Sequence, residues 1–152
     1  MNPFKLGKIN PLDNIICKPV PKTIEGYDFV NRYLDILFDT NEFLTNQTIN
    51  QIIALKSNEL VGVRIFRIND GFIHLSYTAV LPEERGKSIN HQMLLEIEKI
   101  ALSRGIDKIT SSARLSNYAS NRSLVKSGFI LDVDKESTYL DGEKKLHYFK
   151  FL

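Results

Sequence analysis

The chain has 152 residues, 43% hydrophobic and 25% charged, a length that fits one domain over 1–152 and a composition that excludes disordered and fibrous classes. Twenty Lys and Arg against eighteen Asp and Glu leave a net charge of +2; with no clustered basic stripe, nucleic acid is excluded as the expected partner. No apolar run reaches membrane-spanning length and Met1 to Asn14 lacks the apolar core of a signal peptide, so no membrane association and a cytoplasmic location are expected.

In chain order, Ile15 to Val20 reads as a strand closed by Pro21, which cannot donate to a ladder. Tyr27, Val30, Leu34, Leu37 and Phe38 recur at helical spacing, with Glu25 and Asp28 in the first turn where the dipole favours negative charge. Asp39 to Thr48 is polar and irregular, with room for one more helical turn. Three strands follow, about Gln51 to Lys56, Leu60 to Ile68 and Phe72 to Val80, separated by Ser57-Asn58 and Asn69-Asp70-Gly71, which predicts an antiparallel meander. In its middle strand Val61, Val63 and Ile65 alternate with Gly62, Arg64 and Phe66, the period of a strand with one better-buried face. The period then becomes helical, with Ile89, Met93, Ile97, Ile100 and Ala101 on one face and Gly105 as the stop. Lys108 to Leu115 reads as a strand, Tyr118 to Lys126 as a short helix capped by Gly128, and Phe129 to Asp134 and Lys145 to Phe151 as the last strands. A lone cysteine, Cys17, forms no internal disulfide and reads as a small buried hydrophobe. His74, His91 and His147 are too far apart in sequence for a local metal motif, so no metal is expected.

The segment Val80 to Asn90 joins a strand to an amphipathic helix, and its chemistry suits an anion. Free N–H groups at the helix start and the helix dipole bind phosphate, Gly86 permits unusual dihedrals, and Arg85 and Lys87 add positive potential. Arg85, Gly86, Lys87, Ser88, Ile89 and Asn90 are therefore candidates to hold a pyrophosphate. The competing reading is a solvated charged turn before a helix. Gly86-Lys87-Ser88 imitates the end of a Walker A loop, but that motif needs glycine at position 81, where Leu81 stands.

A second segment, Asn117-Tyr118-Ala119-Ser120-Asn121-Arg122, ending in Lys126-Ser127-Gly128-Phe129, also follows a strand and opens a helix. With Val-Leu-Pro-Glu-Glu-Arg-Gly-Lys at 80–87 it makes the chain resemble the GNAT superfamily. The second segment looks most like the branch containing ribosomal-protein N-terminal acetyltransferases. The resemblance covers roughly Leu60 to Leu152 with specific motifs and the first third in element order. It implies a mixed α/β (α+β) fold: a mostly antiparallel, seven-stranded sheet flanked by helices, with two splayed parallel central strands, Phe72 to Val80 and Lys108 to Leu115. It further implies acetyl-CoA as cosubstrate, its pyrophosphate on the 80–90 loop and its arm touching Asn117 and Ser120. The implied product is an acetylated primary amine, with a small-molecule or peptide acceptor and a monomer or homodimer. Three positions depart from the family pattern: Ser88 where glycine is usual, Asn90 where glycine or alanine is usual, and Leu124 in the region of a usual tyrosine acid. A non-catalytic acyl-CoA-binding or regulatory domain is the alternative that these departures leave open.

By the same resemblance the reaction is direct attack through a tetrahedral intermediate, with the backbone N–H of Val80 meeting the thioester oxygen. A lysine-like acceptor, of pKa ~10.4, must lose a proton first. His74, Ser76 and Thr78 are expected on one strand face with Tyr77 opposite. His74, the group that titrates near neutrality, and Tyr77 are the catalytic candidates; a structural strand histidine is the other reading of His74. Asp39, Glu42, Asp141 and Glu143 read either as attractors of a cationic amine or as solvated loop carboxylates.

Overall fold

The computed structural model describes residues 15–33 and 40–152. Met1 to Asn14, the helical-pattern residues Leu34, Leu37 and Phe38, and Asp39 lie outside the described residues. The elements are β1 (Ile15–Val20), α1 (Ile24–Tyr33), α2 (Thr40–Thr45), β2 (Ile49–Lys56), β3 (Glu59–Asn69), β4 (Phe72–Val80), a 3-10 turn at Pro82–Glu84, α3 (Ile89–Ser103), β5 (Lys108–Arg114), α4 (Tyr118–Lys126), β6 (Ile130–Leu131), β7 (Ser137–Thr138) and β8 (Lys144–Phe151). The strands form one sheet in the order β1-β2-β3-β4-β5-β8-β6, with β7 on β8. Neighbours are antiparallel except β4 and β5, which run parallel because α3 crosses between them. The sheet has eight strands, one more than the sequence pattern predicts: β7 is two residues long, too short to leave a periodic signature. β6 likewise contracts to Ile130–Leu131 from the expected Phe129 to Asp134.

Local chemistry accounts for the joints. The β2–β3 hairpin turns on Ser57 and Asn58, both at positive φ (50° and 65°), the two-residue turn whose twist matches paired strands. Helices α3 and α4 close with the same bonding pattern. Ile106 N–H reaches Ala101 C=O at 2.8 Å and Gly105 N–H reaches Leu102 C=O at 3.1 Å. In α4, Phe129 N–H reaches Leu124 C=O and Gly128 N–H reaches Val125 C=O, both at 3.0 Å. The residue after each glycine, Ile106 and Phe129, then drops into the core.

Two apolar layers sandwich the sheet. On one face Ile89, Met93, Leu94 and Ile97 of α3 and Leu124 of α4 pack over Ile52, Phe66, Ile73, Leu75 and Ile109. On the other, Phe29 and Val30 of α1 and Phe43 of α2 cover Val63, Ile65 and Ala79. Each large side chain taken out of water in this way contributes roughly 1.5–3 kcal/mol. Consequently β3 is buried on both faces from Val61 to Phe66, not on one as its alternation suggests. Gly62 is the point of closest approach: a Cβ there would lie 3.3 Å from Met93 Cε and 3.4 Å from Ile89 Cγ2. That approach seats the start of α3 beside the end of β4.

Candidate active site

The site is created by a fault in β4. Ile65 pairs with Tyr77, but the next residue of β3, Phe66, pairs with Leu75, so Ser76 is an extra, bulged residue. A bulge bends its strand and increases its twist. Pairing between β4 and β5 is confined to Ile73–Ile109 and His74–Thr110. Beyond the bulge the two parallel strands part, and a gap opens toward their C-terminal ends. The oxygen Oγ of Ser76 is buried there without a hydrogen-bond partner.

The ladder fixes what faces the gap. Leu81 N–H donates to Val61 C=O at 2.9 Å, which makes Leu81, Ala79 and Tyr77 the residues bonded to β3. In an antiparallel ladder the intervening residues turn their backbone groups away, so the N–H and C=O of Thr78 and Val80 point into the gap. Val80 C=O is taken by the Arg85 side chain; the backbone groups left without a ladder partner are the feature that an extended ligand can complete.

The bulge also overturns the expected side-chain faces. Upstream of it, odd-numbered Ile73 and Leu75 lie on the α3 side; downstream, even-numbered Thr78 does, hydrogen-bonded to Asn90 at 3.1 Å. Hence His74 and Thr78 do not share a face. His74 lies with Tyr77 and Ala79 on the α1 side, which inverts the predicted grouping.

At the mouth of the gap, the 3-10 turn leads into a loop with Gly86 at φ 78° and Ser88 at φ 63°, ψ 18°. The left-handed geometry at 88 explains why glycine suits that position: serine takes it up against a steric cost of roughly 1 kcal/mol. Ser88 makes no side-chain cap; its carbonyl accepts from Gln92 N–H at 3.0 Å, leaving the N–H groups of Ile89, Asn90 and His91 without an intrahelical acceptor. Lys87 and Lys56 both bind the buried carboxylate of Glu84, at 3.1 and 3.2 Å, and hold it below the usual carboxylate range. Two cations around one anion leave the mouth positive. Exposed Arg85 folds back so that its Nε–H donates to Val80 C=O at 3.1 Å.

Asn90 does not crowd the loop, because its side chain points down to the sheet. Its Oδ1 accepts from the Arg64 guanidinium and from Thr78 Oγ1. Arg64 is 6% exposed, its Nε has no partner, and burial lowers its pKa to about 10. Nothing in the periodicity singled out Arg64; the signal was a cation within the apolar run from Val61 to Phe66.

The second motif opens at the same end of the sheet, since β4 and β5 are parallel. Asn117 caps α4, its Oδ1 accepting from Ser120 N–H at 3.1 Å. Asn121 donates to the carbonyls of Arg114 (2.9 Å) and Asn117 (2.8 Å) and accepts from Tyr148 OH at 2.7 Å, locking the helix start to β5 and β8. Leu124 is buried and Tyr118 is 70% exposed. Cys17 lies away from the gap, and burial pushes its thiol up to about 11. A cavity of about 460 Å³ at the far end of α3, between Pro19, Phe66 and Arg104, assembles no catalytic group.

On the α1 side, His74 Nδ1 sits 2.8 Å from Thr110 Oγ1 at the closed end of the gap. Burial, and then Lys145, Arg67, His147 and Lys135, lower its pKa to about 4. It is therefore neutral at pH 7 but a feeble base. The carboxylates expected to draw in a cation are engaged: Asp141 and Glu143 hold Arg114 at 2.8 and 3.0 Å, and Glu42 holds Arg67 at 3.4 Å. Among the described residues, no group of three or more His, Cys, Asp or Glu is placed to hold a metal ion, and no helix is long and apolar enough to cross a membrane.

Comparison with known proteins places this geometry. No curated protein matches the chain. Among solved structures, the ribosomal-protein-S18-alanine N-acetyltransferase from Escherichia coli superposes with a TM-score of 0.74 at 15% identity, over 90% of this chain and 93% of that one. A GNAT family acetyltransferase from Elizabethkingia anophelis with acetyl-CoA bound gives 0.73 at 17%, over 92% and 99%. An IAA acetyltransferase from Bacillus cereus ATCC 14579 gives 0.72 at 14%, over 91% and 99%. At such identities the likeness is one of fold, and it agrees with the parallel β4–β5 pair in an otherwise antiparallel sheet. The profile of the Acetyltransferase (GNAT) family matches residues 15–129, most of the chain and both motif-bearing loops, and the chain belongs to that family.

Proposed function

We propose that residues 1–152 form one acyltransferase domain that moves an acetyl group from acetyl-CoA to a primary amine in the cytoplasm, without a metal. The observation that carries this reading is the bulged β4, whose Thr78 and Val80 backbone groups face an unzipped gap with a positive, amide-lined mouth. The pyrophosphate rests on the N–H groups from Gly86 to Asn90, with Arg85 and Lys87 supplying charge, and Asn117 and Ser120 line the other wall. The pantetheine arm completes the strand edge.

The amine nitrogen attacks the thioester carbonyl carbon from the α1 side, and Val80 N–H holds the oxygen as it becomes negative. Collapse of the tetrahedral intermediate breaks the C–S bond, releasing coenzyme A as thiolate, and the proton shed by nitrogen reaches sulfur through water. A thiol of pKa ~8.5 leaves acceptably without an acid, which fits Leu124 in place of a tyrosine. Tyr77, on the α1-side face three residues before Val80, orients the amine by hydrogen bonding, and His74, bonded to Thr110 at the closed end, holds the two strands together there. With its pKa near 4, His74 does not deprotonate an ammonium, so the amine reacts from its neutral fraction.

A second reading, coenzyme binding without turnover, is favoured by buried Leu124. Release of free thiol from acetyl-CoA across a panel of amines, corrected for hydrolysis, separates the two. The transferase reading expects release that rises with amine concentration; tight binding with no amine-dependent release sinks it.

A further inference from the structure

The α1-side face that receives the acceptor carries two cations, Arg114 and Lys145, at its open end. His74 pairs with Thr110 across the closed end of the gap, and Thr110 pairs with Phe149 of β8. Two-residue steps along that same face reach the Ser112–His147 pair and then the Arg114–Lys145 pair. Tyr139 lies over the far end: the Arg114 guanidinium stacks 4.0 Å from its ring centroid and Lys145 Nζ sits 5.4 Å from it.

The carboxylates nearby are each engaged on both oxygens. Glu143 gives one oxygen to Arg114 at 3.0 Å and the other to Ser116 N–H at 2.8 Å. Asp141 gives one to Arg114 at 2.8 Å and the other to Glu143 N–H at 3.0 Å. Turning either toward a cationic acceptor would strip a charge-assisted bond from Arg114 or from the turn. Lys145 has no carboxylate partner among the described residues, and His147 is engaged by a neutral hydroxyl, Ser137 Oγ at 2.6 Å. Burial first, and after it Lys145, Arg67, His147 and Lys135, lower the pKa of His74, so cations reach this face. Asp132 acts against them at His147.

We propose that the acceptor is an amine bearing a carboxylate, held by Lys145 on the rim formed with His147 and Tyr139. This rests on the transferase reading and narrows it. The Lys145 charge beside the incoming amine also disfavours its ammonium form, enlarging the neutral fraction that attacks. No strong protein base is then needed.

The test uses the whole chain, acetyl-CoA and matched acceptors: free amino acids, their carboxamides, diamines without a carboxylate, and short peptides with Asp or Glu at the second position. The carboxylate-bearing amines should show KM about tenfold below their carboxamides. A preference within that group for amino acids or for acidic peptides identifies the source of the carboxylate. Lys145→Ala should raise KM about tenfold for those amines, leave KM for acetyl-CoA and for carboxamides unchanged, and be rescued by Lys145→Arg. Carboxamides or diamines turned over equally well or better overturn the proposal while the transferase reading stands, as does a Lys145→Ala variant with unaltered KM. Absence of amine-dependent thiol release with every acceptor overturns both.

Discussion

The two sides of β4 use different chemistry. On the α3 side, where the coenzyme is proposed to lie, the working groups are backbone: the N–H groups of Thr78 and Val80, the first turn of α3, and a loop with two left-handed residues. On the α1 side they are side chains, His74, Tyr77, Arg114, Tyr139 and Lys145, drawn from three strands and a loop. Backbone chemistry requires particular local conformations, so it leaves a contiguous mark in the sequence. A side-chain constellation assembled across a sheet leaves none. In the proposed function, recognition of the cosubstrate is thus written locally and recognition of the acceptor is written in the fold.

The largest expected effect comes from removing the side chain that ties the first turn of α3 to the sheet. Asn90→Ala should destabilise the protein by about 2–3 kcal/mol in urea denaturation, because the buried Arg64 guanidinium loses its amide acceptor. This runs against the family preference for a small residue at 90. If Arg64 is the reason, Arg64→Met combined with Asn90→Ala should recover most of the loss, since neither desolvated charge nor orphaned amide remains. An Asn90→Ala variant as stable as the parent would mean that Arg64 does not depend on Asn90.

On the acceptor side, His74 should make stability depend on pH. Its pKa in the folded chain is about 4, against 6.5 when exposed. Above pH 6.5 both states are neutral and His74 contributes no slope. As pH falls from about 6.5 to about 4 the unfolded chain binds the proton and the folded chain does not, so stability is lost across that window. Urea midpoints measured from pH 7 to 4 should show this loss, and His74→Gln should remove its share while keeping a partner for Thr110. An identical pH profile in the variant would remove His74 from the account.

The smallest effect belongs to the loop. Ser88→Gly should stabilise the protein by about 1 kcal/mol, read as a raised melting temperature, because it relieves a non-glycine residue at φ 63°. Acetyl-CoA affinity should hold or improve, since the backbone N–H is kept. A lowered melting temperature would show that the serine side chain contributes more than its strain costs.

These contrasts mark what was legible in the sequence. Element order, the meander, the crossover helix and both motif loops follow from periodicity and turn chemistry, because each is a short-range property. The bulge at Ser76 does not, and that one residue moved His74 from the Thr78 side of the strand to the Tyr77 side. A register shift reverses faces without changing composition, so alternation alone misassigns everything beyond it. Arg64, Arg114 and Lys145 were missed for a related reason. Their partners, Asn90, Glu143 and Tyr139, are brought to them by pairing and loop placement. Asp141 and Glu143, read either as amine attractors or as solvated loop carboxylates, ion-pair with Arg114, a partner that loop placement brings to them.

The central claim is that unpaired β4 backbone, opened by the bulge, receives the coenzyme. Amide hydrogen exchange at Thr78 and Val80, measured with and without saturating acetyl-CoA, tests it most directly. Protection of Val80, and of Thr78 where the arm extends that far, by tenfold or more with little change at Tyr77 and Ala79 is the predicted result. Unchanged exchange at Thr78 and Val80 in the presence of bound acetyl-CoA would contradict it.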